Sequence, residues 1–259
     1  MASLVDVGCC DCYEVIVRSV QEILALYASR SRANGGAKSK MRNLRDYYNG
    51  DVIVPLPELD SDERSAVANL LAQGLDQTAM RIASTSPDII CPAVDAKTKR
   101  ARENAAIRRK ALFGWWEHSR MDLQIAKRAR HLIGYSTSVV QLRYNKKAGC
   151  PEWFLRDPLT AYPAKLLGVN DLKPRDVIFA YDRSLGWIRD AYPEAARQFD
   201  SDSNLSNETE IQMLEYVDAE EQVLIGTRSP ASVGAINFLS SEPAKTVTVE
   251  LERVPNPLG

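Results

Sequence analysis

Residues that carry catalytic chemistry are scarce in this chain. Only two histidines, His118 and His131, occur in 259 residues, which leaves little for histidine acid–base chemistry. Neither common Gly-rich phosphate-binding loop is present, so the sequence argues against nucleotide hydrolysis. GYSTS at residues 134–138 has part of a nucleophile-elbow pattern, but its second glycine is missing and a helix is predicted before it. We interpret it as a polar turn.

Cysteines are few, odd in number and crowded. The five are Cys9, Cys10, Cys12, Cys91 and Cys150. Three of them fall within four positions, where short-range disulfides are strained, so the pattern is typical of free thiols in a reducing compartment. A zinc site could draw only on that cluster and one of the two histidines, without the second ligand pair that structural zinc normally has. We therefore predict no metal and no cofactor.

Long apolar runs are also missing. None approaches the roughly 18 residues of a membrane-spanning helix. The first residues, MASLVDVGCCDCYEVIV, lack a basic segment and are interrupted by Asp6, Asp11 and Glu14, unlike a secretory signal. We expect a soluble, intracellular protein with no membrane partner.

Charge is balanced in total and uneven along the chain. The formal net charge is −1, which disfavours a strongly basic nucleic-acid module. Residues 81–131 hold 12 basic and 5 acidic side chains, a net of +7, whereas residues 190–259 hold 4 basic and 13 acidic ones, a net of −9. Blocks of opposite sign are typical of a protein that contacts its own copies or a charged polymer. Solvated faces are the other interpretation.

The densest cationic stretch supplies the candidate interface residues. It contains one acid, Glu103, among Lys97, Lys99, Arg100, Arg102, Arg108, Arg109 and Lys110. Like charges at i,i+4 repel by a few tenths of a kcal/mol per pair, which an anionic neighbour or a phosphate backbone would offset. We favour the acidic block of a neighbouring copy, because the two net charges, +7 and −9, nearly match in magnitude. Contact between such unlike patches is heterologous and can close into a ring.

The hydrophobic pattern predicts an α+β protein, helical first and antiparallel later. Helices are predicted on the stripe Val20, Ile23, Leu24 and Tyr27, after a capping box at Asp60 and Glu63, and from about Asp95 to Trp116. A fourth helix is predicted after a second capping box at Ser119 and Asp122, ending at Gly134 and burying Ile125, Ala129 and Leu132. The stretch SRSRANGGAKSK is predicted to be a flexible basic connection. The predicted domains are residues 1–40 and 41–259.

Alternating residues predict the strands of the second half. SVVQLRY, with Val140, Leu142 and Tyr144 on its buried face, pairs with EWFLR around NKKAG. VIFAY, IQMLEYV, QVLIGT and TVTVEL are the further strands. A short helix is predicted over residues 185–199.

Four stretches resemble the portal proteins of tailed bacteriophages, the actinophage-like group. RDYYNGD at residues 45–51 resembles an aromatic-Gly segment near portal N-termini, and NLLAQGLDQTAMRIASTSP at residues 69–87 resembles the helix after it. HLIGYSTSVVQLRY at residues 131–144 is similar to a helix-Gly-strand passage, and RDPLTAYP at residues 156–163 to the segment ending the next strand. The resemblance covers residues 40–165. Its motif residues are Tyr47, Tyr48, Gly50, Asp51, Gly134, Asp157, Pro158, Tyr162 and Pro163.

The resemblance implies a ring-forming subunit, usually a dodecamer, at the capsid vertex of the virion, assembled in the host cytoplasm. Double-stranded DNA would pass through its channel without sequence readout. The implied partners are the major capsid protein, scaffold, the terminase large subunit and a head-tail adaptor. Because the stem, clip and crown of such portals would follow VPNPLG, the chain is expected to supply the N-terminal wing region, as a fragment or a short portal.

Two other functions stay open from the residues alone. A metal-dependent nuclease would act through Asp157 and Glu152, which lie in or beside one predicted hairpin. A DNA-binding adaptor would use the cations of residues 97–110.

Overall fold

The chain is an α+β protein. The computed structural model describes residues 18–51, 69–84, 88–95, 97–145, 149–166, 173–199, 205–228 and 246–256, with helices first and antiparallel strands after them. These residues form two compact units. The helical unit is Arg30–Pro163, and the sheet unit holds the described residues up to Ser29 and those from Ala164 onward. Within the described ranges, no helix combines the length and the apolar character needed to cross a bilayer.

Four helices precede the first strand. They are α1 (Val20–Asn49), α2 (Leu70–Ala83), α3 (Lys99–His118) and α4 (Met121–Tyr135). Their order confirms the predicted helices that fall on described residues. The capping box at Asp60 and Glu63 lies outside the described residues, and α2 is instead capped by Asn69, whose side chain accepts from the Ala72 N–H.

The flexible connection predicted after the first helix is wrong. Helix α1 continues through SRSRANGGAKSK to Asn49. The continuation is held by tertiary contacts, because Lys38 is buried and the Arg30 guanidinium donates to the Tyr162 carbonyl at 3.2 Å. Gly35 and Gly36 each destabilise the helix by about 1 kcal/mol relative to alanine. The contacts of Lys38 and Arg30 outweigh this cost.

Replacing Gly35 or Gly36 by alanine should stabilise the protein. A methyl group added at either position would have no heavy atom within 4 Å, so each change should raise the free energy of unfolding by about 0.5–1 kcal/mol. Chemical denaturation measures the effect. Gly50→Ala is the control with the opposite sign, because Gly50 has φ +82°, which alanine adopts only with strain. Equal effects at all three positions would contradict the continuous helix.

The predicted start and end of the fourth helix also need correction. Ser119 is the C-cap of α3, and α4 is preceded by Arg120 at φ 48° with no side-chain cap. Asp122 accepts instead from the Trp116 indole N–H at 3.2 Å. Helix α4 ends one residue beyond Gly134, with Ser136 in the left-handed region. Ala129 is buried as predicted, whereas Leu132 is exposed.

A two-stranded hairpin follows α4. Strands β1 (Val139–Asn145) and β2 (Cys150–Arg156) pair in antiparallel register around Gly149, which confirms the predicted hairpin. The predicted buried face is wrong, because Leu142 and Tyr144 are exposed while Gln141 is buried. Gln141 accepts from the Arg156 guanidinium at 2.7 Å, and this pairing satisfies the polar group on the covered side. A short helical turn (Pro158–Thr160) and the strand β3 (Ala161–Pro163) complete the unit.

Four neighbouring antiparallel strands form the centre of the sheet unit. They are β4 (Val177–Ser184), β5 (Glu210–Val217), β6 (Glu221–Arg228) and β7 (Val247–Pro255). The two short helices α5 (Leu185–Ala191) and α6 (Pro193–Ala196) follow β4. All four strands and the helical segment before β5 confirm the pattern predicted from the sequence.

The central strands are covered on both faces. On one face, Phe199 packs in a buried cluster with residues from α5, α6, β5, β6 and β7, namely Leu185, Ile188, Ala196, Ile211, Met213, Leu224 and Val249. On the other, the start of α1 lies over β5, where Tyr27 accepts from the Gln212 amide at 3.3 Å and Arg18 stacks 5.7 Å from the Tyr216 ring. This explains why consecutive positions of both strands are buried, 213–216 in β5 and 223–226 in β6.

Candidate functional site

Helix α3 is almost completely exposed. Ala105 is its one buried residue, and the Lys99 side chain is 86% exposed. Two of its cations have partners, since Lys99 lies 3.9 Å from Glu103 and Arg109 lies 2.9 Å from Asp88. Neither pair contributes much to stability, because exposed ion pairs are screened by water and salt.

The other five predicted interface cations extend into solvent. Among the described residues, no ion-pair partner lies within reach of Lys97, Arg100, Arg102, Arg108 and Lys110, and all five are exposed. Exposed cations distributed around a helix can bind carboxylates or phosphates of another molecule. The structure therefore assembles the seven predicted residues on one element, together with its connection to the preceding segment.

Charge differs between the two units as well. The described residues of the helical unit include 20 basic and 10 acidic side chains, a net of +10, and those of the sheet unit 9 basic and 13 acidic, a net of −4. The separation of positive from negative segments seen in the sequence is therefore also a difference between the two compact units.

Part of the acidic block is used inside the sheet unit. Glu215 is buried and accepts from the Gln222 amide at 2.7 Å. Glu221 is also buried, 2.5 Å from the Arg253 guanidinium. The near match of +7 and −9 in the sequence is therefore not a match of exposed charge. Acids that remain exposed include Asp190, Glu194, Glu208, Glu210 and Glu220.

Exposed apolar side chains are concentrated in the helical unit. Of the 18 large exposed hydrophobic residues in the described ranges, 16 belong to it, and Leu166 and Trp187 belong to the sheet unit. The buried core is distributed the other way, since 15 of the 21 buried hydrophobic residues that the structure describes lie in the sheet unit. The helical unit therefore leaves more of its large apolar side chains in contact with water than the sheet unit does.

The aromatic-Gly motif of residues 45–51 is structural. Tyr48 donates to Asp76 at 3.1 Å, and Asp76 also lies 2.7 Å from Arg130, so the motif is tied to α2 and α4. The Asn69 amide donates to the Tyr47 and Tyr48 carbonyls at 2.9 and 2.8 Å. These contacts fix the end of α1 against the start of α2.

Gly50 and Asp51 close α1. The Gly50 N–H donates to the Tyr47 carbonyl at 3.2 Å and the Asp51 N–H to the Asp46 carbonyl at 2.9 Å, which together form a Schellman cap. The positive φ of Gly50 fits its place in this cap.

The RDPLTAYP motif ends the hairpin in a capped turn. Asp157 accepts from the Leu159 N–H at 2.9 Å, and Pro158 opens the following helical turn. The Lys38 side-chain nitrogen donates to the carbonyls of Pro158 and, at 2.6 Å, of Ala161, and lies 4.6 Å from the Tyr162 ring. Pro163 ends β3. The motif therefore holds the strand end against α1.

Lys38 is the residue that the sequence did not reveal. In SRSRANGGAKSK it has the same appearance as the exposed Lys40, yet it is only 5% exposed. Burial lowers the pKa of Lys38 to about 8, an effect that Arg42 reinforces and Asp157 opposes. Lys38 differs from neighbouring residues only in its position on α1, from which its side chain reaches the turn of the RDPLTAYP motif.

Gly134 permits close approach of two helices. A methyl group at this position would lie 3.4 Å from Cδ1 of Leu75, so α2 and α4 pack tightly there. The GYSTS stretch is the end of α4, with Ser136 at φ 58° as its C-cap. The interpretation as a polar turn is confirmed.

The residues of the nuclease hypothesis have structural partners. Glu152 accepts from the Asn145 amide at 2.6 Å, while Asp157 caps the helical turn. No group of three His, Cys, Asp or Glu side chains placed to hold a metal occurs in the described part of the chain. Burial lowers the pKa of His131, and His118 is exposed at the end of α3. Cys9, Cys10 and Cys12 lie outside the described residues.

Comparison with known protein families finds no family that matches the chain. A search of curated proteins likewise finds no similar sequence.

Proposed function

We propose that the protein is a non-enzymatic structural subunit of a phage portal ring, supplying its wing region at the capsid vertex. The observation that carries the proposal is the helical unit, which leaves 16 large apolar side chains and a cationic helix exposed. Contact with neighbouring subunits would remove this surface from water, which is favourable by about 25 cal/mol per Å² of apolar area.

A contact between unlike surfaces is compatible with a closed ring. A basic helical unit and an acidic sheet unit are different surfaces, so their association is heterologous and each copy keeps one free surface of each kind. Such contacts close into a ring when the rotation between copies permits it. A dodecamer is the copy number that the portal resemblance implies.

The proposal gives DNA a passive role. Double-stranded DNA would pass through the ring without recognition of its base sequence, since exposed lysines and arginines contact phosphates independently of sequence. Its neighbours in the virion would be the major capsid protein, scaffold, the terminase large subunit and a head-tail adaptor, after assembly in the host cytoplasm.

Electron microscopy of the full chain tests the proposal. We expect ring-shaped particles with an axial hole, and a mass by light scattering that falls as salt rises from low to about 0.5 M, because ion pairs at the rim are screened. A strictly monomeric chain at every salt and protein concentration would overturn the proposal.

The exposed cations of α3, together with Lys97 just before it, favour a second candidate, a DNA-binding adaptor. Reversing Arg108 and Arg109 to glutamate separates the two functions. An adaptor loses retention of linear duplex while its oligomeric state stays unchanged, whereas a ring held by these cations loses mass. The Lys40→Glu variant, on the exposed part of α1, is the matched charge control.

A further inference from the structure

A groove of about 590 Å³ lies between the end of α2 and the first half of α4. Its apolar lining is formed by Met80, Ala83, Leu123 and Ala126, and Lys127 borders it. Met80 is 56% and Leu123 is 68% exposed. An open apolar groove between two helices, bordered by a cation, has the form of a site that accepts a helix carrying an apolar anchor and an acid.

The polar groups around the groove differ in whether they already have a partner within the same chain. Arg130 is held by Asp76 at 2.7 Å, and Asp122 accepts from the Trp116 indole. Lys127 is exposed and, within the described ranges, has no ion-pair partner. The groove therefore offers an available cation beside a fixed apolar surface.

The sheet unit carries a matching feature on α5. Trp187 is one of two exposed large hydrophobic residues among the described residues of this unit, at 39% exposure. It packs edge-on against Tyr192 at 6.0 Å, and the Arg183 guanidinium lies 5.5 Å from the centre of its ring, so both neighbours orient the indole. Asp190 follows three residues later, on the same side of the helix, and is exposed. Tryptophan is among the residue types most enriched as binding anchors.

We propose that the α2–α4 groove of one copy receives α5 of a neighbouring copy, with Trp187 on Met80 and Leu123 and with Asp190 beside Lys127. The occupant is assigned by complementarity, since the acidic unit presents this aromatic anchor next to a carboxylate and the basic unit presents an apolar groove next to a cation. The inference rests on the proposed ring and names the contact between its subunits.

Mixing of two full-length variants tests the contact. Leu123→Glu removes the groove surface and Trp187→Ser removes the anchor, and each should raise the self-association Kd by about 30-fold or more. Because each variant keeps the other half of the contact, an equimolar mixture should form 1:1 dimers and no larger species. Leu132→Glu is the matched control, on the same helix with a 47% exposed side chain outside the groove lining, and it should weaken association far less than Leu123→Glu.

A charge exchange tests the polar part. Lys127→Glu and Asp190→Lys should each weaken association by about tenfold, and the double variant should recover to within about threefold of the wild type. Near-ultraviolet and far-ultraviolet circular dichroism establishes that each variant is folded.

The outcomes separate this contact from the ring itself. A wild-type chain that never associates overturns the proposed function, and this contact with it. Wild-type assembly with groove and anchor variants that associate like Leu132→Glu overturns the contact and leaves the ring standing. Mixed variants that form no dimer, or a double charge variant weaker than both single ones, also overturn it.

Discussion

Gly226→Ala is expected to lower the free energy of unfolding by about 2 kcal/mol, within the 1–3 kcal/mol typical of overpacking. A methyl group at position 226 would lie 2.9 Å from Cζ of Phe199 and 3.5 Å from Cγ2 of Ile211. Phe199 is completely buried in the cluster formed by residues of α5, α6, β5, β6 and β7. Its ring cannot retreat without displacing those neighbours, so the strain is distributed through the core of the sheet unit. Chemical denaturation followed by circular dichroism measures the loss.

Shortening the opposing side chain should relieve that strain. In the Phe199→Leu background, the same Gly226→Ala change should cost less than about 0.5 kcal/mol, because its methyl group then occupies space left by the ring. Gly74→Ala is the control, since a methyl group there meets no atom within 4 Å and helix propensity predicts a gain. Additive losses in the Gly226→Ala/Phe199→Leu variant would show that the contact with Phe199 is not the cause.

Lys38→Met is the second change with a large expected effect. It keeps the length of the side chain but removes the donor to the carbonyls of Pro158 and Ala161, both of which are buried residues. The lysine nitrogen donates in its charged and in its neutral form, and leaving buried acceptors unsatisfied costs about 2–3 kcal/mol. We expect a loss of this size at pH 9.5, and less than about 0.5 kcal/mol for Lys40→Met, which changes an exposed lysine of the same helix.

Lys38 should also give the wild type a distinct pH profile. Its pKa falls from 10.5 to about 8 on folding, so between these values the unfolded chain binds more protons and stability rises with pH. From pH 7.0 to pH 9.5 the free energy of unfolding should increase by about 2 kcal/mol, given 1.36 kcal/mol per pKa unit. Lys38→Met should lack this rise, and Lys40→Met should keep it.

Tyrosine ionisation sets the upper limit of the pH range in which the effect of Lys38 can be measured. Burial raises the pKa values of Tyr48, Tyr135 and Tyr216, so ionisation of these phenols favours the unfolded chain above pH 10. Measurements between pH 7.0 and 9.5 isolate the lysine. An equal rise in the wild type and in Lys38→Met would contradict a buried lysine of lowered pKa at this position.

Local pattern is enough to predict most elements. The stripe of α1, the helix carrying the cations, the β1–β2 hairpin and the strand pair around Asp218 all appear where periodicity and turn residues indicate them. The cations of residues 97–110 can be assigned to one helix because their spacing and its boundaries are both local properties. The exposure of these cations cannot be predicted in the same way, because it depends on which residues pack beside the helix.

Local pattern fails for residues whose role is decided by distant partners. Gly35 and Gly36 indicate a break, yet α1 continues because Lys38 is held by a turn 120 residues further along the chain. Alternation predicts Leu142 inside and Gln141 outside, but Gln141 is buried where it pairs with Arg156, and Leu142 is exposed. In both cases a long-range polar contact outweighs the local hydrophobic pattern.

The sequence alone thus determined the α+β class, the order of helices and strands, and the separation of positive from negative segments, because each depends on neighbours along the chain. Tertiary structure decided which charges remain exposed, where the apolar surface lies and which lysine is buried. The physical reason is that burial and pairing are properties of residues brought together in space, so Glu215 and Lys38 differ from other charged residues only through their partners.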